Sequence, residues 1–506
     1  MGLNRHGLGD NRRSAHLCDL AALLAGAAMP LAFAPYGWSL VAVLSLAILF
    51  RCWLDVRPGR AFWRGWLFGL GMFGYGIAWV QISVHQFGLP VLAFSVSVTA
   101  LLVMFMALYP ALVGYAAQRW FWINSRASLL VVMPALWALG EWLRGWLFTG
   151  FPWLSVGYSQ IESPLAGYAP VGGVYLVGLA VAASAGALAS MPRERLGPVL
   201  MLSAVWGLAV ALSQVSWTKA EGAPVRVALV QGGIEQSQKW DPEMKNRTLE
   251  LYRQLSERYW GQVEIIVWPE TAIPAFGSEV KDFIAEVDDR AARSGTDIVL
   301  GLPVDDRDEQ GRIISYYNSI IALGSAVSRY DKRHLVVLGE YPPFQSVLMP
   351  ILRSLSIPMS EFSHGAPEQA PLSAAGLKLA PSVCFEDAFG EEVIDFLPQS
   401  HLLVNVSNDA WFGDSLAPHQ HLEIARMRAV ETGRYLLRAT NNGISAIIDP
   451  RGEIASRSPQ FIANVLAGEA TAHVGATPYV RVGNALLVVL ASTLLAIVRL
   501  SARHRQ

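Results

Sequence analysis

The run LAPSVCFE at residues 379–386 predicts an apolar strand that ends on a thiol and a carboxylate. Other short apolar runs rich in β-branched residues surround it, and such runs are typical of buried strands. They are VRVALVQ (225–231), IIVWPE (265–270), DIVLGLPV (297–304), SIIALG (319–324), HLLVNVSND (401–409) and SAIIDP (445–450). Helical patterns separate them at 242–260, 278–294, 390–398 and 418–433. Strands that alternate with helices in this way predict an α/β sheet with covered faces.

Polar or reactive side chains follow several of these strands. Glu270 ends IIVWPE, Cys384 follows LAPSV, and Asn408 and Asp409 follow LLVNVS. Functional sites of α/β sheets gather at the carboxyl ends of the strands. We therefore expect these side chains to lie together in one site.

Three cysteines occur in the chain, and Cys384 is the only one after residue 53. Cys18 and Cys52 lie in or beside apolar segments, where small buried side chains are the ordinary interpretation. An odd, sparse set excludes a disulfide framework, and no cysteine or histidine spacing fits a metal site. We therefore expect neither a metal nor an organic cofactor.

Cys384 is a candidate nucleophile. A reacting thiol needs a base, and attack on an acyl carbon creates an oxyanion that needs hydrogen-bond donors or a cation. Glu270 and Lys332, the latter in YDKRHLV, provide a carboxylate and an ammonium group for these roles. The residues alone leave open an inert buried thiol at Cys384 and ordinary solvated charges at the other two positions.

The composition indicates a membrane protein. Hydrophobic residues make up 53% of the 506 positions and charged residues 16%, and the mean hydropathy is +0.35. Both fractions are displaced from a soluble average. A net charge of −1 gives no electrostatic reason to expect nucleic acid as a partner.

A spanning helix needs about 20 mainly apolar residues, and eight candidate segments are found: 17–34, 38–54, 65–84, 90–117, 128–147, 169–190, 196–215 and 482–498.

Arginine residues fall in alternate loops, which predicts the orientation of the chain. They occur in the N-terminal segment (Arg5, Arg12, Arg13), after the second span (Arg51, Arg57, Arg60, Arg64), after the fourth (Arg119, Arg126), after the sixth (Arg193, Arg195) and in the C-terminal tail (Arg499, Arg503, Arg505). The pattern predicts that both termini are cytoplasmic and that the polar stretch of residues 221–475 lies on the outer face of the membrane. The predicted units are a membrane domain over 1–220, the α/β domain over 221–475, and the last span with its tail over 476–506.

Glu141 and Arg144 lie near the outer end of the fifth predicted span. Three residues apart on a helix, they can form an ion pair. Ionisable groups near a bilayer often mark functional sites. A structural ion pair and a contact to a lipid headgroup are both open interpretations.

Four motifs carry a resemblance to the nitrilase (carbon–nitrogen hydrolase) superfamily: WPETAIP, YDKRHLVVLGEYPP, SVCFED and NVSNDAWFG, in that order. The resemblance implies a four-layered α–β–β–α sandwich in which Glu270 is the general base, Lys332 stabilises the tetrahedral intermediate and Cys384 is the nucleophile. The position of this domain before a last apolar segment, together with GEWLRGWLFTGFPWLSVGYSQ (140–160), is similar to the apolipoprotein N-acyltransferases of bacterial inner membranes.

That second resemblance implies a ping-pong acyl transfer. A phospholipid would donate its acyl chain to Cys384, and the α-amino group of a diacylglyceryl-cysteine at the N-terminus of an apolipoprotein would accept it. Supporting roles are implied for Trp240, Glu340, Glu386 and the backbone N–H of Phe385. Two departures from the family pattern are LVVLGE in place of LVPFGE, and Phe385 in place of a tyrosine.

Two other functions remain open on the sequence. A membrane-anchored carbon–nitrogen hydrolase would pass the acyl group to water, which the superfamily motifs do not distinguish. A transporter or receptor is disfavoured, because the spans contain few ionisable residues apart from Glu141 and Arg144. His419 and His421 flank Gln420, and a pair at this spacing is more typical of a loop or helix cap than of a site.

Overall fold

The computed structural model describes residues 12–88, 90–192, 195–342, 349–350 and 361–503. Of the arginines behind the predicted orientation, Arg5 and Arg505 lie outside these ranges, as does Arg193. The described residues form a helical half, made of the N-terminal part and the last long helix, and an α/β half between them.

All eight predicted spans are helical. The helices of this half are Arg12–Ala28, Leu40–Trp53, Pro58–Gly76, Val80–Phe87, Leu92–Met106, Leu108–Arg119, Met133–Arg144, Ala169–Ser190, Leu196–Ser213 and Ala485–Arg503. Their apolar composition favours burial or lipid contact on every side, because several lack any polar face.

The helices of this half differ in whether they are long enough to cross a membrane. Among the described residues, five are long and apolar enough to cross a membrane, and a sixth span results if Pro58–Gly76 and Val80–Phe87, bent by 57°, are counted as one. Leu40–Trp53 and Ala485–Ser501 are apolar but shorter. At 1.5 Å per residue a 14-residue helix is about 21 Å long, less than the roughly 30 Å hydrocarbon core. The structure thus supports a membrane domain, and the count of eight spans stays a prediction.

The first and third helices cross at a contact made by small residues. A Cβ atom at Gly71 would overlap the backbone carbonyl oxygen of Leu23, and one at Gly26 would overlap that of Phe68. Glycine lets two backbones approach closely, which is a common device of membrane helix packing. Most of the core of the helical half is apolar, with Phe50, Trp53 and Phe68 fully buried in it.

The described residues of the α/β half contain twelve strands: β1 Thr218–Gln231, β2 Ile265–Val267, β3 Asp297–Arg307, β4 Ile313–Leu323, β5 Ser328–Asp331, β6 Leu372–Ala374, β7 Leu377–Val383, β8 Leu402–Ser407, β9 Leu436–Thr440, β10 Ala446–Ile448, β11 Ile454–Arg457 and β12 Asn464–Gly475. They form two six-stranded sheets, ordered β12-β1-β2-β3-β4-β5 and β11-β10-β9-β8-β7-β6. The helices are Gln236–Lys239, Pro242–Ser256, Lys281–Ser294, Gly390–Ile394, Ala417–Thr432 and Pro478–Val482.

Side chains alternate between the two faces of each sheet, and this alternation explains the layered structure. On β1, Val227 and Leu229 pack against residues of the second sheet, whereas Ala228 and Val230 pack against Leu249 of a covering helix. Successive side chains of a strand point to opposite faces, so each sheet is covered on one face by its partner sheet and on the other by helices. The predicted α–β–β–α layering is therefore present.

The helix Ala417–Thr432, called the docking helix below, joins the two halves. Its Leu422 and Ala425 pack on the second sheet, while Ile424 and Met427 belong to the core of the helical half. A helix buried on both faces explains why its sequence shows no clean amphipathic stripe.

Polar groups of the docking helix also bind the helical half. The side-chain oxygen of Gln420 accepts hydrogen bonds from the indoles of Trp79 (3.1 Å) and Trp153 (2.7 Å). Glu431 accepts one from the backbone N–H of Val174 at 2.7 Å. The α/β half is therefore packed onto the helices rather than tethered to them.

Replacing Gly71 with alanine is expected to destabilise the helical half, because the added methyl group forces two backbones apart. Overpacking of this kind costs about 1–3 kcal/mol. The thermal unfolding midpoint of the purified protein in detergent measures it. Gly207→Ala is the matched control, since a Cβ atom there meets nothing within 4 Å. A Gly71→Ala midpoint equal to that of the control would contradict the close helix crossing.

Candidate active site

The thiol of Cys384 stands at a sharp turn after β7. The chain enters a 3₁₀ turn over Cys384–Ala388, and Cys384 itself has a φ of +52°. A residue other than glycine in this left-handed region is uncommon and often functional. The side chain is half-buried. Burial, and then the nearby carboxylate of Glu270, raise the pKa of the thiol, while Lys332 lowers it, so the resting group is the thiol and its proton must be removed before attack.

Glu270 and Lys332 lie at the ends of two strands of the opposite sheet. Both side chains are buried, at 8% and 1% exposure. Burial raises the pKa of Glu270, and the ammonium of Lys332 acts against this increase. Burial alone would lower the pKa of Lys332, but the carboxylates of Glu340 and Glu270 raise it above its ordinary value. Lys332 is therefore a permanent cation beside the thiol.

Asn318 on β4 connects these groups. Its Nδ2 donates to Oε1 of Glu270 at 2.7 Å and to Oε1 of Glu340 at 3.0 Å. The two Glu340 oxygens also accept from Nζ of Lys332, at 2.9 and 2.8 Å. The structure thus places Glu340 beside Lys332 and adds Asn318, which the sequence interpretation missed because it lies within an apolar strand.

Glu386 binds both sides of the site. One oxygen accepts the hydroxyl of Tyr330 (2.8 Å) and the backbone N–H groups of Arg333 (2.7 Å) and His334 (3.0 Å). The other accepts the backbone N–H of Val383 at 2.7 Å. The carboxylate therefore holds the segment that carries Lys332 against the turn that carries the thiol. Burial raises its own pKa, and Lys332 lowers it.

Phe385 contacts the helical half. Its ring stacks on Trp153 at 6.1 Å with an interplanar angle of 22°, and it lies 6.5 Å from Phe151 and 5.0 Å from Phe389. An aromatic ring is therefore required for packing at this position. The hydroxyl that a tyrosine would add has no counterpart in this chain.

Trp240 follows the short helix Gln236–Lys239 and is 51% exposed. Its neighbour Lys239 is the more deeply placed residue, at 3% exposure, and its Nζ donates to the backbone carbonyl of Glu270 at 3.0 Å. Burial lowers the pKa of Lys239 to about 8, against the opposing effect of Glu270 and Cys384. The sequence interpretation singled out the tryptophan and missed this second cation.

Glu141 and Arg144 are both buried and hold the loop that contains Trp153. The guanidinium of Arg144 donates to the backbone carbonyls of Phe151 and Trp153, and Glu141 accepts the backbone N–H of Val156 at 2.9 Å. The pair itself is separated by 3.8 Å. These contacts give the pair a structural role; a contact to a lipid headgroup stays a prediction.

His421 is neither in a loop nor at a helix cap, so that expectation is wrong. It lies inside the docking helix at 2% exposure. Its Nε2 approaches the backbone carbonyl of Cys384 at 3.2 Å. The short polar segment around it hid this role, because a histidine beside a glutamine gives no sequence signal of burial.

A half-buried thiol with a carboxylate and a cation from the facing sheet can form and break acyl bonds. Similarity of this chain to known protein families agrees with that chemistry. Residues 226–479 match the carbon-nitrogen hydrolase family model, about half of the chain, so the α/β half is a carbon–nitrogen hydrolase domain. Residues 25–187 match the model of the apolipoprotein N-acyltransferase N-terminal domain.

Relatives that span nearly the whole chain are named apolipoprotein N-acyltransferase. One from Methylococcus capsulatus is 45% identical over 91% of this chain and 91% of its own. Others from Azotobacter vinelandii and Nitrosomonas europaea are 42% and 43% identical, over 92% and 94% of this chain and 91% and 96% of theirs. The chain therefore belongs to the apolipoprotein N-acyltransferase family, which confirms the resemblance drawn from its motifs.

Removing the charge of Lys239 is expected to move the pH dependence of thiol alkylation. In Lys239→Met the negative forms of Glu270 and Cys384 lose a stabilising cation, so their pKa values rise and the alkylation profile shifts to higher pH. The shift applies below about pH 8, where Lys239 is charged. Iodoacetamide labelling of the Cys384 peptide, followed by mass spectrometry from pH 5 to 9, is the measurement.

Lys378→Met is the matched control, because this lysine is exposed on β7 six residues before the thiol. A Lys239→Met profile that coincides with the control, or that moves to lower pH, would show that Lys239 does not act on the site.

Proposed function

We propose that Cys384 carries an acyl group as a thioester, taken from a phospholipid and passed to the α-amino group of a diacylglyceryl-cysteine at the N-terminus of an apolipoprotein. The main support is that the Cys384 thiol lies close enough to Glu270 and to the buried cation Lys332 for both charges to act on it. The names of the relatives support an apolipoprotein as the acceptor, and the nucleophilic chemistry of a cysteine thiol supports the thioester intermediate.

In the first half-reaction Glu270 takes the thiol proton as sulfur attacks the ester carbonyl. Lys332 and the backbone N–H of Phe385 stabilise the oxyanion of the tetrahedral intermediate. The ester C–O bond then breaks, and the proton on Glu270 passes to the leaving alcohol of the lysophospholipid. Glu340 supports this step, because its carboxylate holds the Lys332 ammonium in place.

In the second half-reaction the amine attacks the thioester. Glu270 takes the proton of the attacking nitrogen, the C–S bond breaks, and the thiol is restored with that proton as the amide product leaves. Trp240, exposed beside Lys239, is proposed to contact substrate at the entrance of the site.

We also propose the predicted placement: eight spans, both termini in the cytoplasm, and the α/β domain of residues 221–475 in the periplasm above the bacterial inner membrane. Support comes from the arginine-rich alternate loops and from the apolar helices. This placement brings the thiol to the surface of the outer leaflet, where phospholipid esters and lipoprotein N-termini meet.

Intact-protein mass spectrometry tests the thioester. Incubation with phospholipid and no acceptor is expected to add the mass of one acyl chain to the wild type, removable by hydroxylamine. Cys384→Ala abolishes the adduct, and Cys52→Ala, the matched control at a buried cysteine elsewhere, retains it.

Addition of a diacylated lipopeptide is expected to discharge the adduct and to place the acyl group on the peptide amine. An adduct discharged equally fast by water would support a membrane-anchored hydrolase instead. A wild type that never gains an acyl adduct would refute the thioester.

Lys332→Met is expected to slow adduct formation on the order of 10²- to 10³-fold, because the oxyanion loses a cation. Single-turnover rates by quenched mass spectrometry provide the measurement, with Lys378→Met as the control. A Lys332→Met rate within about threefold of the control would remove this lysine from the mechanism.

A further inference from the structure

The backbone carbonyl of Cys384 points into a polar cluster beneath the turn. It accepts hydrogen bonds from Nδ2 of Asn405 (3.2 Å) and from Nε2 of His421 (3.2 Å). The residue's φ of +52° is unfavourable for a side chain other than glycine. These two donors therefore hold a conformation that the backbone does not prefer.

The same peptide unit carries the proposed oxyanion donor. The carbonyl of Cys384 and the N–H of Phe385 belong to one planar, trans amide, so the two groups point in opposite directions. Fixing the oxygen on one side fixes the direction of the N–H on the other. A donor useful to the oxyanion must stand about 2.7–3.1 Å from the developing charge, which a freely tilting peptide does not achieve.

The surroundings of His421 define its protonation. Nδ1 lies 2.9 Å from Oδ1 of Asp409, and Nε2 lies 3.0 Å from Oδ1 of Asp387 as well as near the Cys384 carbonyl. Among the described residues both ring nitrogens thus face acceptors, so both carry hydrogen and the ring is an imidazolium. Burial and Arg438 lower its pKa, but Asp387 and Asp409 raise it to about 9.

Arg438 completes the cluster. Its guanidinium donates to Oδ2 of Asp387 (3.4 Å) and of Asp409 (3.1 Å), and to Oδ1 of Asn405 at 2.6 Å. The last contact orients the Asn405 amide with its nitrogen toward the Cys384 carbonyl. Two cations balance two anions at 0–2% exposure, which is how buried charges are tolerated.

We infer that His421 is a positioning residue: with Asn405 it holds the Cys384 carbonyl so that the N–H of Phe385 faces the oxyanion during acyl transfer. The inference rests on the proposed thioester at Cys384. His421 and Asn405 act on the oxyanion donor indirectly, through the hydrogen bonds that they donate to the Cys384 carbonyl.

The helical half covers this arrangement. Trp153 lies 5.5 Å from the His421 ring and stacks on Phe385, and its indole N–H is held by Gln420, the residue before His421. The positioning cluster is therefore sealed by the loop that Arg144 and Glu141 organise.

Two reactions of the same thiol distinguish positioning from general disruption. Acylation by phospholipid passes through an oxyanion, whereas alkylation by iodoacetamide displaces iodide at a saturated carbon and forms none. His421→Leu removes the donor and also a buried cation, so it is expected to slow acylation about 10²- to 10³-fold and alkylation at pH 8 by a much smaller factor, below about tenfold. His421→Gln retains an N–H at the place of Nε2 and is expected to recover at least tenfold of the lost rate.

His419→Leu is the matched control, on the same helix and only half-buried, and is expected to leave both rates unchanged. If His421→Leu does not fold, Asn405→Ser, which removes the other donor, is expected to give the same split. Acylation near the wild-type rate, or acylation and alkylation falling in parallel, would overturn the inference. A wild type that gains no acyl adduct would refute the proposed function itself, which these variants do not decide.

Discussion

The carboxylate of Glu386 is the interaction on which the rest of the site depends. Lys332 follows the edge strand of one sheet and Cys384 follows a strand of the other, so no ladder hydrogen bond joins them. Glu386 supplies the connection by accepting backbone N–H groups from both segments and the Tyr330 hydroxyl. Hydrogen bonds to a charged group contribute about 1.5–3 kcal/mol each, which offsets the cost of burying the charge and fixes the cation relative to the thiol.

The helical half is a second support for the same turn rather than a simple anchor. Buried Arg144 and Glu141 shape the loop whose Trp153 stacks on Phe385, and the docking helix carries Gln420 toward the helices and His421 toward the Cys384 carbonyl. The membrane-facing and catalytic parts thus share the residues around one peptide bond. This arrangement fixes the thiol relative to the apolar helices, which is what the proposed transfer from a phospholipid requires.

Much of this organisation is predictable from the sequence because it follows local patterns. Apolar runs ending on Glu270 and Cys384 predicted strand ends of an α/β domain, and all eight apolar segments are helical. The pattern underestimated the sheets: β5, β6, β9 and β11 were missed, β1 begins at Thr218 rather than near 225, and its partner β12 was missed as well. The two strands pair antiparallel along their length, and exposed residues such as Lys219 and Glu221 in the first part of β1 do not give a buried-strand signal.

The missed site residues have a common physical cause. Asn318, Lys239 and His421 act through partners that are distant in sequence, and each occupies a segment whose composition favours another interpretation. Asn318 lies in an apolar strand, Lys239 in a short polar helix, and His421 beside a residue that binds the other half. Only tertiary contacts distinguish such a side chain from an ordinary polar residue. Motif spacing therefore identifies the proposed reacting groups, but not the residues that hold those groups in position.

The rate of acyl-enzyme formation in Glu386→Gln tests the central claim most directly. The side-chain amide of glutamine presents its own N–H groups to backbone N–H donors that require an acceptor. The segment that carries Lys332 and the turn that carries Cys384 are therefore expected to separate. A misplacement of about 1 Å can cost roughly 10²-fold in rate. Asp395→Asn is the control, since this exposed carboxylate pairs with Arg333 on the surface. A folded Glu386→Gln protein is expected to lose about 10²-fold or more in this rate, and the control is expected to change little. A Glu386→Gln rate close to that of the wild type would contradict the central claim.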